Sequence, residues 1–239
     1  MTEKIEALQL AAHHAATEGN YDKALEIFNS LQENQKVNTW DIVFYRCFYR
    51  YGMEEATAFS HILDINQGVI DAFAVVLSQN VDILETLVCF QDIYDQIWDL
   101  STRLQQFTHR EYIGLIKGKS ITEEFHQAQT AQYIENLKKI LSLSENFINA
   151  LGNLSEYTTI NWDLVWDFFQ CNDGLFCFLL VYDGDSMYEE KRGENLKIIQ
   201  LKRPDYVPVS LPTPVKPAEI RSTPITEPKK KGLWGRLFQ

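Results

Sequence analysis

Apolar residues recur at helical spacing through the amino-terminal part of the chain. In residues 3–17, Ile5, Leu8, Ala12 and Ala15 fall on one stripe, which predicts an amphipathic helix that ends at Gly19. Gly52 ends a later helix that begins after Thr39. The same apolar spacing predicts further helices over residues 21–33, 40–51, 54–65 and 69–79.

Longer helices follow in the second half. Residues 81–106 keep a helical stripe, and a second long helix is expected from Thr122 to about Leu151, so the two are expected to pair as an antiparallel hairpin. A short aromatic helix is predicted over 161–169, and residues 195–202 close the body. The apolar run 175–182 fits either a buried strand or a buried helix. We favour a helix, because no second convincing strand exists to pair with it. The pattern therefore predicts an all-α fold.

Proline divides the chain into a body and a tail. All seven prolines lie beyond residue 203, and a long stretch without proline suits a mostly helical fold. Residues 204–228 have no hydrophobic periodicity, which predicts a disordered, partly extended linker. Residues 229–239 (KKKGLWGRLFQ) form a basic and hydrophobic segment behind it.

The amino-terminal helices carry a weak internal repeat. Gly19 and Gly52 are 33 residues apart, as are Trp40 and Phe73. Each glycine sits between two amphipathic helices, and each aromatic residue lies near the start of the following helix. This spacing indicates a helix–turn–helix unit of about 33–34 residues.

The first copy of the repeat, Gly19 to Phe28, resembles the second half of a tetratricopeptide repeat. Gly52-Met53-Glu54-Glu55-Ala56 with Phe59 looks like a second, degenerate copy, and the resemblance covers roughly residues 5–80. It implies stacked antiparallel helix hairpins over 1–80 that leave a concave face for a protein partner. Residues 81–203 would then be a helical extension packed on the repeats.

Charge is unevenly distributed. The net charge is −11 over the whole chain, but residues 1–203 hold 16 basic and 30 acidic residues, whereas residues 204–239 hold 6 basic and 3 acidic residues. An acidic body disfavours binding to nucleic-acid phosphates, so no nucleic-acid partner is expected. Without a long apolar run or an export signal, the chain is expected to be cytoplasmic, or peripheral to a membrane.

The motif search reveals no catalytic, cofactor-binding or metal-binding pattern. Glu123 and His126 have a spacing used in di-iron bundles, but only one copy is present. Gly114 and Gly118 stand too close for a phosphate-binding loop before Lys119-Ser120. We therefore expect no enzyme and no cofactor, although an enzyme without a recognisable motif stays open as an alternative.

Two groups of residues are candidates for partner binding. Tyr45, Arg46, Tyr49 and Arg50 crowd one helix, where they either pack in the core or line a groove, since tyrosine and arginine are enriched at binding hot spots. The second group is the segment 229–239, which could enter a partner's groove, attach to an anionic membrane, or dock on its own body. Its candidate residues are Lys229, Lys230, Lys231, Leu233, Trp234, Arg236, Leu237 and Phe238.

These observations favour a protein-interaction scaffold with a flexible tail. The repeat face would bind one partner, and the tethered C-terminal segment would bind another. A peripheral membrane adaptor attached through KKKGLWGRLF is the alternative. The identity of the protein partner does not follow from the sequence.

Overall fold

The computed structural model describes residues 2–79, 82–152 and 162–221, and they form nine helices and two short strands. None of the helices in these ranges combines the length and the apolar character that crossing a membrane requires. The predicted all-α character is confirmed. The elements are α1 (Thr2–Thr17), α2 (Tyr21–Gln35), α3 (Trp40–Tyr51), α4 (Glu55–Ser60), α5 (Ile62–Ser78), α6 (Ile83–Ile116), β1 (Ser120–Thr122), α7 (Glu123–Gly152), α8 (Trp162–Tyr182), α9 (Met187–Lys202) and β2 (Glu219–Arg221).

The first helices pack on one another in chain order, except that α3 packs on α5 and passes over the short α4. α1 packs on α2, α2 on α3, and α3 on α5. Ala12 and Ala24 are completely buried, as small residues are where two helices approach closely, and Phe28 fills the space beside them. Gly19 takes a left-handed conformation (φ 79°) in the turn between α1 and α2, which is the helix end predicted from its sequence.

The fourth and fifth helices have different limits from those predicted. The break falls at His61, and α5 then runs without interruption from Ile62 to Ser78. Gly68 lies inside α5, because its role is close packing: a Cβ there would come within 2.9 Å of the Cys47 Cβ on α3. Glycine therefore lets α3 and α5 approach each other, and it does not end a helix.

α6 and α7 form the expected long antiparallel hairpin. Contacts pair Tyr94 with Phe147 and Tyr112 with Tyr133, so positions later on α6 meet positions earlier on α7. α6 continues ten residues beyond the predicted end, through Gly114, and the turn comes at Gly118 (φ 69°). α7 begins and ends close to the predicted limits.

α8 joins two segments that the sequence pattern separated. The run 175–182 is helical, as favoured, but it continues the helix that starts at Trp162. Asn172-Asp173-Gly174 has the composition of a turn, yet it lies in the middle of α8. The side chains of Asn172 and Asp173 are buried, and both have hydrogen-bond partners in other elements: Ser144 on α7 for Asn172, and Arg192 on α9 for Asp173.

One aromatic core joins the amino-terminal helices to the rest of the body. Phe73 of α5 contacts Phe90 of α6 and Phe147 of α7, with ring centroids 4.8 Å and 5.8 Å away. Phe147 in turn lies 5.3 Å from Phe168 of α8. Residues before and after position 80 therefore share a continuous hydrophobic core.

Residues 204–221, here called the C-terminal strap, differ from the disordered linker predicted over 204–228. The strap runs in extended form across the body, and β2 at its end pairs in parallel with β1. Val209 and Tyr206 hydrogen-bond Asp173, and the Val215 amide donates to the Tyr182 hydroxyl. Specific polar contacts, which hydrophobic periodicity does not reveal, hold this segment in place. Residues 222–228 lie outside the described residues.

Candidate partner-binding groove

Two of the predicted binding residues on α3 point into the body. Tyr45 is only 4% exposed, and its hydroxyl donates to the Asp92 carboxylate on α6 at 2.6 Å. Burial, with Asp92 beside the hydroxyl, raises the pKa of Tyr45 well above its usual value. Tyr49 is half-buried and lies against the Tyr45 ring, with centroids 4.9 Å apart.

His13 of α1 completes this aromatic cluster. Its ring meets those of Phe28 and Tyr45 edge to face, at 5.3 Å and 4.6 Å, and its Nδ1 lies 3.3 Å from the Tyr49 hydroxyl oxygen. Three helices, α1, α2 and α3, thus contribute rings to one packed cluster, which accounts for the aromatic richness of α3 in terms of packing.

Asp41 fixes the start of α3 against α1. Its carboxylate accepts a hydrogen bond from Gln9 Nε2 at 2.8 Å and another from the Thr39 hydroxyl. Burial by itself would raise the pKa of Asp41, but the His13 ring, whose Nε2 lies 4.0 Å from the carboxylate, and the hydrogen bonds that the carboxylate accepts more than offset burial and lower that pKa. Thr39 precedes the helix as predicted, but its hydroxyl serves Asp41 and makes no capping hydrogen bond.

The opposite side of α3 borders an open groove of about 320 Å³ between α3 and α5, with Gln32 of α2 at its margin. We call it the Arg46–Arg50 groove. Arg46 and Arg50 lie one helical turn apart on one wall, and Asp64 and Asp71 stand on the α5 wall. Arg46 donates from Nε to Asn29 Oδ1 at 2.7 Å, which fixes its guanidinium beside the groove.

The groove also contains one thiol, that of Cys47, which is not activated. The Cys47 thiol lines it and donates to the Asp64 backbone oxygen at 3.1 Å. Burial, assisted by the Asp64 charge, raises the pKa of Cys47 to about 11, so the thiol stays protonated at neutral pH. The groove therefore combines side chains of both charge signs with a protonated thiol.

The structure therefore divides the four predicted residues of α3. It brings Arg46 and Arg50 together in a groove, and it places Tyr45 and Tyr49 in the packed cluster. Sequence reasoning missed the α5 wall, formed by Asp64, Gln67 and Asp71. Their spacing of three and four residues marks one face of a helix, which was a usable signal.

No metal centre is found in the described ranges, where no three His, Cys, Asp or Glu side chains group closely enough to hold an ion. The four cysteines, Cys47, Cys89, Cys171 and Cys177, are all free thiols. The second predicted group, Lys229 to Phe238, lies outside the described residues.

Comparisons of the chain with models of known protein families, with curated proteins and with solved structures find no match. The tetratricopeptide resemblance of residues 5–80 therefore stays a prediction.

Proposed function

We propose that this chain is a non-enzymatic interaction scaffold, in which the Arg46–Arg50 groove holds one protein partner and the segment 229–239 holds another. The observation that carries the proposal is the groove itself: an open cleft with two arginines on one wall and two aspartates on the other. Arginine gives several fixed donors for carboxylates and peptide carbonyls, and it is enriched at binding hot spots.

The chemistry of the groove suits an extended peptide that carries an acidic side chain. The acid would face Arg46 and Arg50, and backbone amides of the peptide would face Asp64 and Asp71. Tetratricopeptide-like stacking of the first helices, a cytoplasmic location and the tethered second motif belong to the same proposal, supported by the sequence features of residues 5–80 and 229–239.

A pull-down with charge-reversed bait tests the groove. The full chain, Arg50→Glu and the control Arg110→Glu, an exposed arginine on α6, are used to recover proteins from a lysate under identical conditions. Partners of the groove are expected to be lost with Arg50→Glu and kept with Arg110→Glu. Recovery of the same proteins by both variants would refute the groove as a binding site.

Trp234→Ala and Leu237→Ala test the second binding segment in the same way, with Gln239→Ala as the control. Proteins lost with the first two variants and kept with the third would be partners of the tail.

A peripheral membrane adaptor is the second candidate function, favoured by three consecutive lysines ahead of Leu233, Trp234, Leu237 and Phe238. Flotation of the full chain with vesicles that contain phosphatidylserine separates the two. Vesicle binding that is lost on changing Lys229, Lys230 and Lys231 to glutamate would favour the membrane adaptor. Equal flotation of the full chain and this variant would exclude it.

A further inference from the structure

An exposed apolar stripe runs along α5, on the side away from the aromatic core. Leu63, Ile70 and Leu77 are 77%, 41% and 53% exposed. They are seven residues apart, which is close to two helical turns, so they share one face of the helix. Three large exposed side chains in line on one helix indicate a surface that packs against something else.

α7 supplies the second wall beside this stripe. Ile70, Ala74 and Leu77 of α5 and Asn146, Asn149 and Ala150 of α7 enclose an open, mostly apolar cavity of about 250 Å³, here called the α5–α7 groove. The two helices run in the same direction, since Asn146 Nδ2 donates to the Asn66 backbone oxygen and Leu77 meets the end of α7. A lining that is mostly apolar, with two asparagines on the α7 side, suits the apolar face of a short helix or turn.

The charged residues of α5 are acidic. Asp64 and Asp71 line the neighbouring Arg46–Arg50 groove, about 100° around the helix from Leu63 and Ile70, and α5 has no lysine or arginine. A second copy of this chain would bring the same acids to the interface, and like charges oppose each other there. The chemistry selects an occupant that is apolar on one face and basic on the other.

The sequence holds one segment of that kind. Residues 229–239 contain Lys229, Lys230, Lys231 and Arg236 and no acid, and their apolar residues 233, 234, 237 and 238 share one face in a helical turn.

The length of the chain allows this segment to reach the groove. Arg221 pairs with Thr122, which directly precedes α7. From there, α7 covers about 36–42 Å to Asn146 and Ala150 at 1.5 Å per residue. Leu233 is twelve positions beyond Arg221, and the chain between them spans at most roughly 40 Å when extended. A nearly extended connection therefore brings Leu233 to the Asn146 end of the groove, and Leu237 and Phe238 reach further along it, without release of the C-terminal strap.

We infer that the α5–α7 groove is the intramolecular docking site of the chain's own segment 229–239. The apolar residues of the segment cover Ile70 and Leu77, and its basic residues face Asp64 and Asp71. This inference does not depend on the proposed scaffold function, since a segment that docks on its own body does so whether or not another protein binds it.

Photo-crosslinking in the full chain tests the inference. Phe238→p-benzoylphenylalanine is irradiated at low protein concentration, and the crosslinked peptides are identified by mass spectrometry. The expected products are monomeric and join residue 238 to peptides from 62–78 or 139–152. Raising the salt concentration should lower their yield, because exposed charge pairs are screened. Products of dimer mass, products elsewhere on the body, or no product would overturn the inference.

Groove variants decide whether these crosslinks are specific. Ile70→Lys and Leu77→Lys in the same background should lower the yield about tenfold, which corresponds to about 1.4 kcal/mol of docking free energy. The matched control is Leu201→Lys on α9, where another exposed leucine is changed in the same way. Circular dichroism and the urea midpoint verify that each variant is folded. An unchanged yield in the folded groove variants would also overturn the inference.

Discussion

Asp173 is the residue that holds the C-terminal strap on the body. Its side chain is completely buried in α8, where it accepts hydrogen bonds from Arg192 Nε at 2.6 Å, the Val209 amide at 2.7 Å and the Tyr206 hydroxyl at 3.0 Å. Burial, together with the Asp173 charge, raises the pKa of Tyr206 to about 12, so this hydroxyl remains a donor at neutral pH. One carboxylate thus joins α8, α9 and the strap.

Arg192→Met should be strongly destabilising. The substitution keeps much of the side-chain volume but leaves the Asp173 carboxylate buried without its cation, which costs about 3–5 kcal/mol in comparable sites. The measurement is the free energy of unfolding in urea. Lys191→Met is the matched control, because the Lys191–Glu145 pair next to it is partly exposed and such pairs contribute about 0–1 kcal/mol. Equal effects of the two variants would contradict this role of Asp173.

The lowered pKa of Asp41 predicts that the stability of the folded chain depends on pH in the acidic range. Its pKa is lower in the folded chain than its usual value of 3.8, so the unfolded chain binds the proton more readily. The stability that Asp41 contributes is therefore fully present above about pH 5 and is lost as the pH falls through the lower folded-state pKa. The difference in unfolding free energy between the parent and Asp41→Asn should shrink between pH 6 and about pH 2.5. A difference that stays constant with pH would contradict the assignment.

Sequence reasoning works less well at the residue scale than at the scale of helices. Asn172-Asp173-Gly174 has a turn composition, and its partners Arg192 and Val209 are 19 and 36 residues away, so local preference and tertiary contact oppose each other there. Tyr45 shows the same limit, because the Asp92 carboxylate that it contacts belongs to another helix. Spacing within one helix predicts which residues share a face, but not which face is covered.

At the element scale, helix contacts depend on the few positions where two backbones come close. Gly68 brings α5 against Cys47 of α3, whereas Gly114 on α6 has open space where a side chain would lie. The sequence pattern treated both regions as helix breaks. Both glycines lie inside helices, because the packing of a long apolar face outweighs the modest cost of glycine, about 0.5–1 kcal/mol.

The two glycines give a matched pair of substitutions. Gly68→Ala should destabilise the chain by about 1–3 kcal/mol, since the added methyl group meets Cys47 and must push α3 and α5 apart. Gly114→Ala should stabilise it by about 0.5–1 kcal/mol, because alanine favours the helix and meets nothing. Thermal or urea unfolding measures both. A Gly68→Ala variant as stable as the parent, or more stable, would show that the α3–α5 approach is not tight.

Helix existence was predictable from apolar periodicity. α3 has the predicted limits of 40–51, and α7 lies within one residue of its own, since Thr122-Glu123-Glu124 and Gly152 are strong start and stop signals. β1 and β2 were not predictable. Each has three residues, and their pairing joins positions 99 residues apart. β1 lies in the turn between α6 and α7, and β2 lies at the end of the strap. They pair because the fold brings these two segments together, so neither segment carries a strand-like hydrophobic pattern of its own.

At the scale of the whole molecule, the strap connects the middle of α8 with the turn of the α6–α7 hairpin. It starts beside Asp173 and Arg192 and ends at β1, next to the turn of the α6–α7 hairpin. The last described residue, Arg221, lies next to this end of the hairpin, and Lys229 follows eight residues later in the sequence. The reach of that segment is therefore set from residue 221, and not from residue 203 as the linker prediction implied.

Val209→Pro tests how far the strap acts as one unit. The substitution removes the amide that donates to Asp173, and a hydrogen bond to a charged acceptor contributes about 1.5–3 kcal/mol. Amide hydrogen exchange at Ala218, which donates to the Lys119 oxygen, should become faster by about tenfold or more if the strap loosens as a whole. The control is Val207→Pro, at a position that is 81% exposed. Unchanged exchange at Ala218 would mean that the two ends of the strap open independently.

The position of the strap at the end of the described chain also has a consequence for folding during synthesis. The partners of Asp173 on the strap are made after all nine described helices, so a nascent body lacks its last polar closure until synthesis has passed residue 221. Until then the Asp173 carboxylate is paired with Arg192 but lacks its partners on the strap, and the Cys177 thiol lacks its acceptor, the Val209 carbonyl. A nascent chain that stalls before this point would contain all the described helices but would lack the contacts of the strap with Asp173 and Cys177.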